Sequence, residues 1–221
     1  MIDKLLSFMA PHHCCGCDKI GGLLCGNCKY NIISESKMVC VVCGRPTGAM
    51  SLCNTCNAPY ERAWVVGKRF GILQRLVGLY KFERAKSAYK DLGNLLLGVL
   101  PELPAGTIVV PVPTTSGRIR ERGYDHMLLI AKYIARARGL QCVQLIKRQT
   151  NTKQRQASAK TRTAQAKIAF AVSRELDSNV PYLLIDDVVT TGATIKYAAK
   201  ALRDAGAKNV WVAIIARQTL D

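Results

Sequence analysis

The 221-residue chain predicts an α/β fold, a parallel sheet flanked by helices, with a small cysteine-rich module in front. Three observations carry this expectation. Short apolar strands alternate with stretches of helical periodicity from residue 63 onward. The most apolar strand, Leu183 to Ile185 after Val180 and Tyr182, runs into a turn of small residues and then an amphipathic helix, as in a βα unit buried on both faces. Nine of the ten cysteines fall within the first 56 residues, which sets a head apart from the remainder. The junction is expected at Ala58-Pro59-Tyr60, dividing residues 1–60 from 61–221.

In chain order, residues 63–70 (AWVVGKRF) read as a strand. A helix follows with Leu73, Leu76, Val77 and Tyr80 on one face, and a second covers 85–100 until Pro101 stops it. Lys81, Arg84, Lys86 and Lys90 are expected mostly on solvated faces. Residues 107–112 (TIVVPV) form the next strand, and Pro111 and Pro113 force a constrained turn that continues through TTSGRIRERGYDH, 114–126. A helix from Asp125 to Arg138 has Asp125 as its N-cap. Residues 141–147 read as one strand, with Cys142 a small buried side chain. The polar stretch 148–167 reads as a mobile loop, 168–172 as a strand at the sheet edge, and 210–216 as the last strand after a Gly206 helix stop.

The chemistry concentrates in LLIDDVVTTGAT, residues 183–194. Asp186 and Asp187 close the strand, Thr190, Thr191, Gly192, Ala193 and Thr194 make the turn, and a helix follows. A helix start offers unpaired N–H groups and a positive dipole end to a phosphate. Gly192 permits close backbone approach, the threonine hydroxyls donate hydrogen bonds, and two carboxylates accept them from ribose hydroxyls. The stretch resembles the phosphoribosyl pyrophosphate (PRPP) loop of type I phosphoribosyltransferases. Arg118 and Arg122, on a glycine-bearing turn after a strand, suit a pyrophosphate.

The head carries four C-x-x-C pairs, Cys14/Cys17, Cys25/Cys28, Cys40/Cys43 and Cys53/Cys56, with Cys15 spare. Pairs of thiolates at this spacing take two corners of a tetrahedron around zinc. Eight ligands make two structural zinc sites, with an iron–sulfur cluster as the alternative. Short loops favour sequential pairing and leave crossed pairing open. His12 and His13 are expected at the surface. The segment has too few large apolar residues for a core of its own, so metal binding is expected to supply most of its folding free energy.

The net charge is +17, and no acidic residue occurs from His126 to Arg174 against eleven Lys and Arg. This asymmetry points to an anionic partner, nucleic acid or phosphates. No window approaches a membrane span, and the opening residues are too short for a signal peptide, so a cytoplasmic protein is expected.

VPVPTTSGRIRERGYDH resembles the PVP…R-x-R-x-R-G-[FY] signature of the ComF family, which is linked to DNA uptake. The paired-cysteine head, KRQTNTKQRQASAKTRTAQAKIAF and LLIDDVVTTGAT agree, so the resemblance spans nearly the whole chain. It implies a phosphoribosyltransferase-like domain behind a zinc-finger-like region, and PRPP or a nucleotide as ligand. Magnesium is expected with PRPP, held mostly by ligand oxygens and water. A loop that closes over pyrophosphate is implied at 148–167. Two functions follow. The chain is a PRPP-binding, DNA-uptake-associated protein that contacts single-stranded DNA, with Lys153, Arg155, Lys160 and Arg162 on phosphates, and the uptake machinery as a partner. Alternatively it is an active transferase moving phosphoribosyl from PRPP to a nitrogen nucleophile with release of pyrophosphate; no general base emerges from spacing. One departure from the family is Asp125-His126, where Asn-Gln is usual.

Overall fold

The computed structural model describes residues 12–35, 39–47, 53, 55–149 and 169–218. Its centre is a parallel sheet of β1 (Arg62–Lys68), β2 (Ile108–Pro111), β3 (Gln141–Cys142), β6 (Pro181–Val189) and β7 (Asn209–Arg217), ordered β1-β7-β6-β2-β3. β6 lies in the middle, with Leu183 opposite Trp211 on one side and Val109 on the other. A central parallel strand is covered on both faces, which is why its sequence is a continuous apolar run rather than an alternation.

One face of the sheet packs against α2 (Gly71–Phe82), α3 (Ala88–Val99) and α5 (His126–Ala137), where Leu76, Leu95, Met127 and Ile130 meet Leu183, Ile185 and Ala213. The other face packs against α6 (Ala193–Asp204) through Ile195, Ala198, Ala199 and Leu202, which meet Leu184, Val212 and Ile214. These are the apolar stripes that spacings of three and four predict. From β2 the chain turns through α5 to β3 on one side; from β6 it turns through α6 to β7 on the other. The two strands are neighbours, so their C-terminal ends face a topological switch point, where open parallel sheets take their ligands.

The head is built on two copies of one knuckle. In the first, Cys14 N–H donates to the Lys19 carbonyl and Asp18 N–H to the Cys14 carbonyl; in the second, Cys40 N–H donates to Arg45 and Gly44 N–H to Cys40. Bridges His13–Ile20 and Val39–Pro46 occupy matching places, and Asp18 and Gly44 both take positive φ, +62° and +74°. α1 (Gly26–Ser34) follows the first knuckle. The two halves of the head join opposite cores: Leu23 and Ile32 pack under α2 and α3, and Val41 packs with Val189 and Ile195.

Four expectations need correction. The stretch 114–126 is not one long turn, because α4 (Ser116–Arg122) forms within it, with Gly123 capping it at φ +82°. Arginine is a good helix former, and a glycine just past the end is the usual stop. Residues 141–147 are not one strand. After β3 the chain turns at Val143–Leu145, and β4 (Ile146–Gln149) pairs antiparallel with β5 (Ala169–Val172). β5 therefore belongs to a separate two-stranded sheet rather than to the edge of the main one. No glycine or proline marks that break, so an apolar run hides it. Cys142 is half-buried rather than buried, whereas His12 and His13 are exposed as expected.

Candidate functional site at the switch point

β6 continues through both acids to Val189, so successive side chains point to opposite faces of the sheet. Asp187 turns toward α2 and α5. Its Oδ2 lies 2.8 Å from Lys81 Nζ and 2.5 Å from His126 Nε2. His126 Nδ1 lies 3.0 Å from Arg122 Nη1 and 3.1 Å from Thr114 Oγ1. A guanidinium only donates, so Nδ1 accepts from Arg122 and Nε2–H donates to Asp187. Arg122 Nε donates to the Lys81 carbonyl, the Tyr80 hydroxyl to the His126 carbonyl, and the Tyr124 hydroxyl to the Tyr80 carbonyl. The Thr114 hydroxyl donates to Asp125, which caps α5 by accepting from Leu128 N–H. The end of α2, α4 and the start of α5 are thereby laced to the end of β6.

The two carboxyls differ in charge. Burial pushes Asp187 up, but the His126 hydrogen bond and the Lys81 ammonium outweigh it and hold the group well below the usual carboxylate range. Burial, and then the charge of Asp187, push Asp186 up to about 8, against a hydrogen bond donated to Asp186 Oδ1 by Asp187 N–H.

Beyond β6, Thr190 and Thr191 are exposed. Gly192 caps α6 in the left-handed region at φ +76°, a conformation that costs glycine nothing. Ala193 N–H donates to Thr191 Oγ1 at 3.4 Å, and Thr194 lies in the first turn of α6. Of the two arginines read as pyrophosphate ligands, Arg118 is exposed on α4, whereas Arg122 is 7 % exposed and committed to Lys81 and His126. Lys153, Arg155, Lys160 and Arg162, with most of the basic stretch 148–167, lie outside the described residues.

In the head, the Sγ atoms of Cys14, Cys17, Cys25 and Cys28 lie within 4.8 Å of one another, and so do those of Cys40, Cys43, Cys53 and Cys56. The pairing is sequential. Cys17–Cys25 and Cys43–Cys53 are 3.5 and 3.6 Å apart, near the edge of about 3.8 Å of a tetrahedron with Zn–S bonds of about 2.3 Å. Despite burial, backbone N–H groups of Cys25, Gly16 and Cys17 bring Cys14 down to about 6, and hydrogen bonding to Thr55 and Cys56 brings Cys53 to about 6. The Cys53 contact and burial push Cys56 up to about 12. Four crowded thiols cannot all ionise without a cation among them.

No protein-family model matches the chain. It is 30 % identical over 208 residues to the DNA utilization protein YhgH of Salmonella typhi, covering 88 % of this chain and 90 % of that one. The chain belongs to the ComF family. It is also 24 % identical over 201 residues to the competence protein ComFC of Bacillus subtilis (83 % and 79 % of the two chains) and 26 % identical over 223 residues to competence protein F of Haemophilus influenzae (87 % and 96 %). Among solved structures, the glutamine PRPP amidotransferase of B. subtilis aligns at 23 % identity and a TM-score of 0.41, over 58 % of this chain and 26 % of that enzyme; this chain thus spans about a quarter of the enzyme's length.

This ComF-family chain thus combines a five-stranded parallel sheet with two four-cysteine clusters. The Asp125-His126 pair has a role in the site. Asp125 caps α5, and His126 carries the Arg122 contact on to Asp187. Lys81 is the residue that sequence reading missed. It lies four positions after Val77, on the stripe of Leu73, Leu76, Val77 and Tyr80 that faces the core, and a lysine continuing a buried stripe signals a buried anion. Among the described residues no helix is long and apolar enough to cross a membrane.

The raised Asp186 makes a testable sign. Its folded value of about 8 lies above the ordinary 3.8, so the folded chain holds an extra proton between those pH values and stability falls as pH rises through that window. Asp186→Asn removes the effect. Thermal melts from pH 5 to 8.5 should show the variant gaining on the wild type by at most about 1.4 kcal/mol per pH unit. Parallel pH profiles for the two proteins would contradict the assignment.

Proposed function

We propose that the chain binds PRPP as its magnesium complex at the switch point, serves DNA uptake, contacts single-stranded DNA, and carries zinc in both cysteine clusters. The observation that carries the reading is the order at the end of β6: two buried acids, an exposed threonine pair, Gly192 with positive φ, and the start of α6. In this reading the 5′-phosphate meets the N–H groups of residues 191–194 and Asp186 and Asp187 take the ribose hydroxyls. Lys81 and the exposed Arg118 supply positive charge where the pyrophosphate would lie, and Arg122 acts from behind through His126. Magnesium, carried largely on ligand oxygens and water, neutralises pyrophosphate charge. The relatives named for competence and DNA utilization support a role with DNA, as does the basic, acid-free stretch. An all-cysteine donor set with near-tetrahedral sulfur spacing supports zinc.

Calorimetry with PRPP and magnesium tests the site. Asp187→Asn keeps the shape but removes a charged acceptor worth about 1.5–3 kcal/mol, so affinity should drop by roughly tenfold to a hundredfold; unchanged affinity in both Asp186→Asn and Asp187→Asn would place the sugar elsewhere. Release of pyrophosphate on adding amines or bases would extend the reading to a transferase.

Elemental analysis of purified protein should give about two zinc ions per chain; less than about one would remove the metal assignment.

Affinity for single-stranded DNA should fall steeply as salt rises, with little dependence on sequence. A flat salt response would remove the nucleic-acid role.

A further inference from the structure

The second knuckle does not stand apart from the switch point. Val42, between Cys40 and Cys43, fills the space where a side chain on Gly192 would go: a Cβ there would lie 3.3 Å from Val42 Cγ2. Directly behind, Arg217 is 8 % exposed and donates through Nε to the Val41 carbonyl and through Nη2 to the Val42 carbonyl, both at 3.2 Å. Its guanidinium also fills the hollow of the knuckle, since a Cβ on Gly44 would come within 2.6 Å of its Cζ. Arg217 is in turn the residue opposite Val189 in the sheet, and the next N–H, of Gln218, donates to the Val189 carbonyl at 2.8 Å. Val41 is fully buried among the residues that carry the turn, Val189 and Ile195. The knuckle backbone, the end of β7 and the turn 190–192 form one packed unit.

We infer that the metal-bound second knuckle is the wall that holds the phosphate turn, with Val42 the positioning residue that keeps Gly192 in its left-handed conformation. This rests on the reading that the turn takes the 5′-phosphate of PRPP. Its chemistry is direct. The metal fixes Cys40 and Cys43, and with them the residue between; Arg217 holds the same two carbonyls from the protein side. An ordered Val42 leaves Gly192 one conformation, in which the amides at the head of α6 stay aligned before the ligand arrives. Ligand and metal thereby stabilise the same arrangement, and binding at one must strengthen binding at the other by an equal factor. Among the described residues, the first knuckle, packed beside α2 through Cys15 and Ile72, has no such link.

Two measurements on the full chain decide this. In the first, PRPP with magnesium is titrated into Val42→Asp, Val42→Thr and Lys200→Gln proteins, each checked for two zinc ions. Val42→Asp sets a carboxylate against the turn and should weaken PRPP at least about tenfold; Val42→Thr keeps the shape and should stay within about threefold of the wild type. Lys200→Gln, exposed on α6, should match the wild type. In the second, zinc release from wild-type protein to a coloured chelator is followed with and without saturating PRPP, and PRPP should slow one of the two equivalents. Val42→Asp binding PRPP like the wild type with its zinc in place, or two zinc equivalents indifferent to PRPP, overturns the inference and leaves the PRPP reading intact. Wild-type protein that does not bind PRPP overturns both. Should Val42→Asp lose zinc on purification, the release measurement on the wild type still decides.

Discussion

A charged carboxylate at the end of a buried central strand needs counter-charge, and the arrangement around the site follows from that need. Asp187 lies at the end of β6, on the sheet face covered by α2, α3 and α5. Lys81 and His126 answer it directly, and Arg122 answers it through His126. Each partner comes from a different segment: the last turn of α2, the first residue of α5 and the end of α4. Removing one partner of such a pair leaves the other uncompensated, at a cost of about 3–5 kcal/mol. The loops after β2 and β6 are therefore held in register by charge as well as by packing. The same need explains why the two acids behave differently. Asp187 has cations within reach, while Asp186, on the opposite face, meets mainly burial and its neighbour's charge.

Much of this was legible in the chain itself. The continuous apolar run of β6, the helical stripes of α2 and α6, the capping aspartate at 125 and the four C-x-x-C pairs each follow from local spacing, and each appears where spacing puts it. Spacing could not show what depends on partners far along the chain. Lys81 meets Asp187 across 106 positions, and the stripe that carries it on from Val77 cannot name that partner. The break between β3 and β4 is set by where each strand finds a partner, the main sheet or β5, and a run such as QCVQLIK serves either. The pairing of cysteines lay between these cases. Short loops favoured the sequential choice, and the backbone closed both knuckles in the same way.

The repetition within the head has a structural use. Two copies of one knuckle, 26 positions apart from Cys14 to Cys40, attach to opposite faces of a single sheet. Neither copy has apolar bulk for a core of its own, and each borrows one: the first from α2 and α3, the second from α6 and β7. A module that borrows its core becomes part of the domain it covers, and this is how a segment read as a separate head contributes Val41 to the floor beneath the turn at 190–192.

Strand β1 has consequences for biosynthesis. Among the described residues it is bonded in the main sheet only to β7, with Arg62 opposite Trp211 and Lys68 opposite Arg217, and the Val41 and Val42 carbonyls wait on the same Arg217, 176 and 175 positions later. On a ribosome the early half of the molecule emerges without the strand it must join. β1 is left with an unpaired edge until β7 is translated. Synthesis of β7 therefore closes the sheet edge and the second knuckle in one step.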